Sequence, residues 1–226
     1  MGRVRGIVFD LDGVLVDTEP LYLQAVNETL ALDNVAPMSD EENRVLLGTS
    51  IEETWRRVVR MRGLTHPLPY YLDRYNGMVD RVMRRGLRPQ PGVVRLLDAA
   101  KARSIKSAVA TSALRSWVDL KLGIIGLQEA FEAVVCGDEI ERTKPAPDIY
   151  LRAVERLGLT PDRCIAIEDS PIGIEAAVTA GLYTIAVRTP STEGMDISRA
   201  HRILNSLEDF DLTLLDGAHS AKARTA

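Results

Sequence analysis

A chain of 226 residues, 46% hydrophobic and 27% charged, has the balance of a globular protein, large enough for one sizeable core or a core with a small insert. Its formal net charge of -4 argues against a nucleic-acid or anionic-membrane surface, and its cations are mostly Arg with no long unopposed run. Two Cys and three scattered His make a zinc site improbable, and no apolar stretch approaches the ~20 residues of a spanning helix.

The first apolar run, residues 6–9 (GIVF), reads as a buried strand. It leads directly into Asp10 and Asp12, so it is no signal peptide, and a cytoplasmic location is the default expectation. Residues 17–89 then lose the strand rhythm and are expected to form an all-helical insert. Within it, the pattern of 51–62 places Ile51, Trp55, Val58, Val59 and Arg62 on one face. A second helix at 71–85 groups Tyr71, Tyr75, Met78, Val79 and Val82.

From residue 90 strands and helices alternate. Helix periodicity covers about 91–103, and a strand succeeds it at 107–110 (SAVA). The run at 133–135 (AVV) is a third strand and ends at Cys136. Cys136 and Cys164 each sit in a short apolar run and read as small buried hydrophobes; a disulfide is the less expected alternative. Residues 148–157 form a helix with Ile149, Ala153, Val154 and Leu157 on one face and Gly158 as its stop. Two more strands come at 164–167 (CIAI) and 184–187 (TIAV). The polar tail, 217–226, is expected to be disordered. The expected fold is α/β: a Rossmann-like parallel sheet core, residues 1–16 and 90–226, carrying a helical cap at 17–89.

Parallel sheets bind ligands at the carboxyl ends of their strands. Asp10 and Asp12 lie just past the first strand, Thr111 past the second, and Glu168 and Asp169 past the fourth; Lys144 lies on the loop after the third. Each has a plain alternative. The aspartates could close a turn, and Ser112 could cap the next helix. Lys144 could be a solvated loop residue, and Glu168 and Asp169 could complement the helix that Ser170-Pro171 starts. The combination carries more weight. Four crowded carboxylates cannot all stay ionised without cations. An oxygen-only donor set suits magnesium, and magnesium beside Asp, Lys and Thr suits phosphate chemistry.

The string FDLDGVLVDTE at 9–19 resembles the first motif of the haloacid dehalogenase-like superfamily. ATS at 110–112, Lys144 in TKPAPD and IEDS at 167–170 resemble the other three, in order. The similarity runs from about Val4 to Leu204, and the subgroup it resembles is the beta-phosphoglucomutase-like phosphatases. The resemblance implies a magnesium-dependent phosphatase of small phosphorylated metabolites, sugar phosphates above all. Asp10 would be the nucleophile and Asp12 the general acid and base. Thr111, Ser112 and Lys144 would hold phosphate. Asp10, the Asp12 carbonyl, Glu168 and Asp169 would hold Mg2+. It implies a small-molecule partner, no nucleic acid or membrane, and a monomer or weak dimer.

A sugar phosphomutase is the alternative. Mutases of this subgroup resemble LLGTSIEE at 46–53 but carry Arg where this chain has Ile51, and His where it has Tyr22. Phosphonate hydrolysis needs a cap lysine, and residues 18–90 contain none. A phosphorylated receiver domain would need neither the insert nor Asp12. Arg115, Arg74 and Arg81 are candidates for contacting the far end of a substrate.

Overall fold

A computed structural model describes residues 3–44, 46 and 51–216. The polar tail and the Gly-x-Ser of the 46–53 motif lie outside the described residues. Contacts divide the chain into two compact units, Asp17–Leu87 and the segments on either side of it.

The flanking segments build a six-stranded parallel sheet. Its strands are β1 (Gly6–Phe9), β2 (Lys106–Ala110), β3 (Ala133–Val135), β4 (Cys164–Glu168), β5 (Tyr183–Val187) and β6 (Arg202–Leu204), in the order β3-β2-β1-β4-β5-β6. β1 is central, pairing with β2 on one side and β4 on the other, so the loop at its carboxyl end lies at the middle of the sheet edge. The strands are near-continuous Val, Ile and Ala because both faces are covered. Val8, Ala108, Ala110 and Ala166 share a buried cluster with Ile149, Tyr150, Ala153 and Val154. Their alternates Ile7, Phe9, Val109, Ile165 and Ile167 are equally buried. Each fully buried Val, Ile or Phe contributes about 1.5–3 kcal/mol. No helix among the described residues is long and apolar enough to cross a membrane.

β6 escaped the sequence pattern: Arg-Ile-Leu is three residues long, with its Ile exposed. β4 also runs one residue further than its apolar run, placing Glu168 inside the ladder opposite Ala186.

Unit 17–87 holds only helices among its described elements: α1 (Glu19–Ala31), α2 (Asp40–Arg44), α3 (Ile51–Arg62) and α4 (Leu68–Gly86). Trp55 is fully buried, stacked on Tyr71 at 5.5 Å and edge-on to Tyr75 at 5.8 Å. Ile51, expected on that inward stripe, is 42% exposed, because it occupies the first position of its helix. Val16 forms a bridge with Pro89, and the Gln90 N–H donates to the Leu15 carbonyl, so the outgoing and returning chains lie side by side.

The remaining helices alternate with the strands: α5 (Val93–Ala102), α6 (Arg115–Ile125), α7 (Asp148–Leu157) and α8 (Pro171–Thr179). Ser170 caps α8 by accepting from the Gly173 N–H at 3.2 Å, with Pro171 in the first turn. Ser112 does not cap α6. That helix starts after Leu114, and its Arg115 N–H donates to Asp138 Oδ1 at 3.1 Å.

Candidate active site

The chain leaves β1 with the Asp10 N–H donating to the Ile167 carbonyl at 2.9 Å, which extends the ladder by one residue. It then turns sharply: the Gly13 N–H donates to the Val16 carbonyl at 2.7 Å. Gly13 has φ 86, and a Cβ there would collide with the Asp169 carboxylate. Only glycine lets this turn press against the end of β4.

Asp10, Glu168 and Asp169 are all buried, and one oxygen from each lies within 4.8 Å of the others. Lys144 reaches between two of them. Its Nζ donates to Asp10 Oδ1 at 2.5 Å and to Glu168 Oε1 at 2.6 Å. Glu168 is the most heavily bonded. Its Oε1 also accepts from the Tyr150 hydroxyl at 2.9 Å, and its Oε2 accepts from the Asp169 and Ser170 N–H groups and the Ser170 hydroxyl. Gly173 makes room for it, since a Cβ there would overlap the carboxylate. Asp169 Oδ2 accepts from the Thr189 hydroxyl at 3.1 Å, and Thr189 in turn lies against Ser191 and Thr192.

Three carboxylates share one ammonium, and this sets their proton affinities. Burial, then repulsion from Glu168 and Asp169, raises Asp10 well above the usual carboxylate range against the pull of Lys144. Asp169 is pushed up to about 7 by burial and by Glu168. Glu168 is also penalised by burial, yet Lys144 and its hydrogen bonds hold it low. Lys144 stays protonated: Asp10 and Glu168 outweigh the cost of burying it. For all three carboxylates to ionise together, the group needs a further cation. Among the described residues, Asp10 Oδ2 and Asp169 Oδ1 accept no hydrogen bond, leaving oxygen donors of the kind a hard divalent ion takes.

Asp12 lies outside this close trio, though near enough for its charge to help raise Asp169. The expectation was four carboxylates in one cluster; the structure gathers three. Asp12 Oδ1 is instead 2.6 Å from Nζ of Lys121, a residue of α6 whose side chain is 2% exposed. Thr111 is buried at the end of β2, its hydroxyl accepting from the Ala113 N–H at 3.2 Å, while Ser112 is exposed. Arg115 bonds Glu139 and the Val134 carbonyl. In the helical unit, Arg74 lies over the Tyr70 ring at 3.6 Å and Arg81 is exposed.

Sequence reasoning missed Lys121, Tyr150 and Thr189. A lysine three residues after Val118 and one before Leu122, on an otherwise apolar stripe, was a readable sign of a buried partner. The strand-end rule that picks out Asp10, Thr111 and Asp169 also finds Thr189 when carried past residues 184–187. Tyr150 carried no comparable signal beside Ile149 on an apolar helix face.

The haloacid dehalogenase-like hydrolase profile matches residues 7–187. The chain belongs to the haloacid dehalogenase-like hydrolases. Protein CbbY of Rhodobacter capsulatus is 35% identical over 209 residues, covering 88% of this chain and 91% of that protein. A phosphorylated carbohydrates phosphatase of Thermotoga maritima is 31% identical over 215 residues, 95% of this chain and 92% of its own length. A solved beta-phosphoglucomutase-like structure from Thermotoga maritima superposes with a TM-score of 0.87 at 29% identity, covering 96% of this chain and 100% of that one. This haloacid dehalogenase-like hydrolase is therefore an enzyme of the phosphatase type, built on the parallel-sheet fold of its relatives.

Proposed function

We propose that the chain is a magnesium-dependent phosphatase that hydrolyses a small phosphorylated carbohydrate through an aspartyl-phosphate on Asp10. The observation that carries this reading is the separation of two neighbouring aspartates. Asp10 is buried against Lys144 in the acidic group, and Asp12, more exposed, is paired with a different lysine. Two acids with different surroundings suit two roles. The name of the Thermotoga maritima relative supports the carbohydrate.

In this reading Asp10 attacks phosphorus in line, and the phosphoryl group passes to its carboxylate. Asp12 gives a proton to the leaving oxygen, then takes one from the water that opens the aspartyl-phosphate. Thr111, Ser112 and Lys144 hold the phosphoryl oxygens. Asp10, Asp169 and the Asp12 main-chain carbonyl would hold Mg2+, whose charge offsets that of the transferring group. Glu168, with both oxygens taken up by donors, contributes chiefly by holding Lys144, and joins the metal only by giving some of them up. The helical unit would act as the cap that keeps bulk water out. The enzyme works on a small molecule, in the cytoplasm, as a monomer or weak dimer.

The likeness to a beta-phosphoglucomutase-like structure favours one other reading, a phosphomutase. Ile51 and Tyr22 stand against it. A panel of sugar phosphates, with beta-glucose 1-phosphate and its bisphosphate activator among them, separates the two. Inorganic phosphate should accumulate. Glucose 6-phosphate appearing faster than phosphate would overturn the hydrolase reading in favour of the mutase.

A further inference from the structure

The described residues contain four lysines, Lys101, Lys106, Lys121 and Lys144, of which the first two are exposed. The two buried ones are each bonded to a different aspartate of the same motif, Lys144 to Asp10 and Lys121 to Asp12. Lys121 projects from the stripe of α6 that carries Val118 and Leu122. An apolar residue of similar volume would pack there without the cost of desolvating an ammonium, so stability does not account for a lysine at this position.

What the lysine supplies is a fixed point. The main chain at Asp12 is already set, by the bridge to Val16 and by the Gly13 turn. The Asp12 side chain is 38% exposed, and its placement decides where its proton is delivered. A rigid helix delivering Nζ at 2.6 Å holds that carboxylate from the buried side. Proton transfer to a leaving group is sensitive to such placement, since a shift of about 1 Å can cost roughly 10²-fold in rate.

We propose that Lys121 is a positioning residue for Asp12, aiming its carboxylate at the leaving-group oxygen. This rests on the reading of Asp12 as general acid and base. Lys121 touches neither phosphate nor metal in this scheme; its effect on the reaction passes through Asp12.

The test is a double-mutant cycle in the full-length enzyme. Lys121→Met, Asp12→Asn and the double variant are assayed on p-nitrophenyl phosphate and phenyl phosphate, aryl esters whose departing oxygens differ strongly in how much they need a proton. Lys121→Met should lower kcat on phenyl phosphate by roughly 10- to 10²-fold, and by clearly less on the nitrophenyl ester. The double variant should be no slower than Asp12→Asn alone, because the lysine then has nothing left to aim. Equal losses on both esters, or losses that multiply in the double variant, would overturn the proposal while leaving Asp12 its role. Equal residual activity of Asp12→Asn on both esters would overturn the reading of Asp12, and the proposal with it. If Met at position 121 prevents folding, Lys121→Gln, a neutral polar side chain of lesser reach, is read in the same cycle.

Discussion

Both units carry exposed ion pairs, but among the described residues only the sheet unit also buries them. In the helical unit most lie on the surface: Arg56 with Glu52, Arg57 with Glu53 and Arg84 with Asp80, each one helical turn apart and all about one-third exposed or more. Such pairs are screened by water and salt and contribute little to stability. The interior there is aromatic and aliphatic, built on Trp55, Tyr71 and Tyr75. At the sheet edge the pairs are buried. Lys144 joins Asp10 and Glu168 with side chains 4%, 11% and 0% exposed. Buried pairs recover their desolvation cost only with full hydrogen bonding, and an apolar core would be cheaper. The comparison teaches where chemistry sits: charge is buried where the reaction needs it and left outside where it does not.

Removing the cation should break the comparison most completely. A chelator should abolish phosphatase activity, and magnesium should restore it, because without a cation burial and mutual repulsion keep Asp10 and Asp169 from ionising readily. Calcium should bind yet inhibit, since its looser coordination misplaces the nucleophile. Phosphate release measured with and without each ion checks this; full turnover in metal-free enzyme would sink the site as described. At the other extreme, Arg84→Ala removes an exposed pair of the helical unit. It should leave both melting temperature and turnover unchanged within error, by thermal melts and the same assay. A clear loss of either would mean that surface charge in this unit matters more than its exposure allows.

Much of the molecule was legible because its patterns are redundant. Strands such as Cys164-Ile-Ala-Ile are apolar on both faces, so no register question arises, and the alternation of strand and helix leaves few topologies. Asp10, Thr111, Lys144, Glu168 and Asp169 could be named because each lies at a strand end or on the loop after one. What was not legible depends on residues brought together across the sequence. Lys121 meets Asp12 across 109 residues, and Tyr150 meets Glu168 from the interior of a helix. Strand β6 was too short and too polar to show a period. The true end of β4 was hidden because Glu168, an ionisable residue, sits inside the ladder.

The central claim is that two aspartates at one strand end do different work. It is tested most directly by Asp10→Asn and Asp12→Asn, each measured on p-nitrophenyl phosphate and on a sugar phosphate. Asp10→Asn should be inactive on both and should form no covalent phosphoenzyme. Asp12→Asn keeps the nucleophile and should lose roughly 10²–10⁴-fold on the sugar phosphate. On the aryl ester, whose leaving group needs less protonation, it should retain markedly more. Equal residual activity in the two variants, whatever the leaving group, would contradict the division of labour.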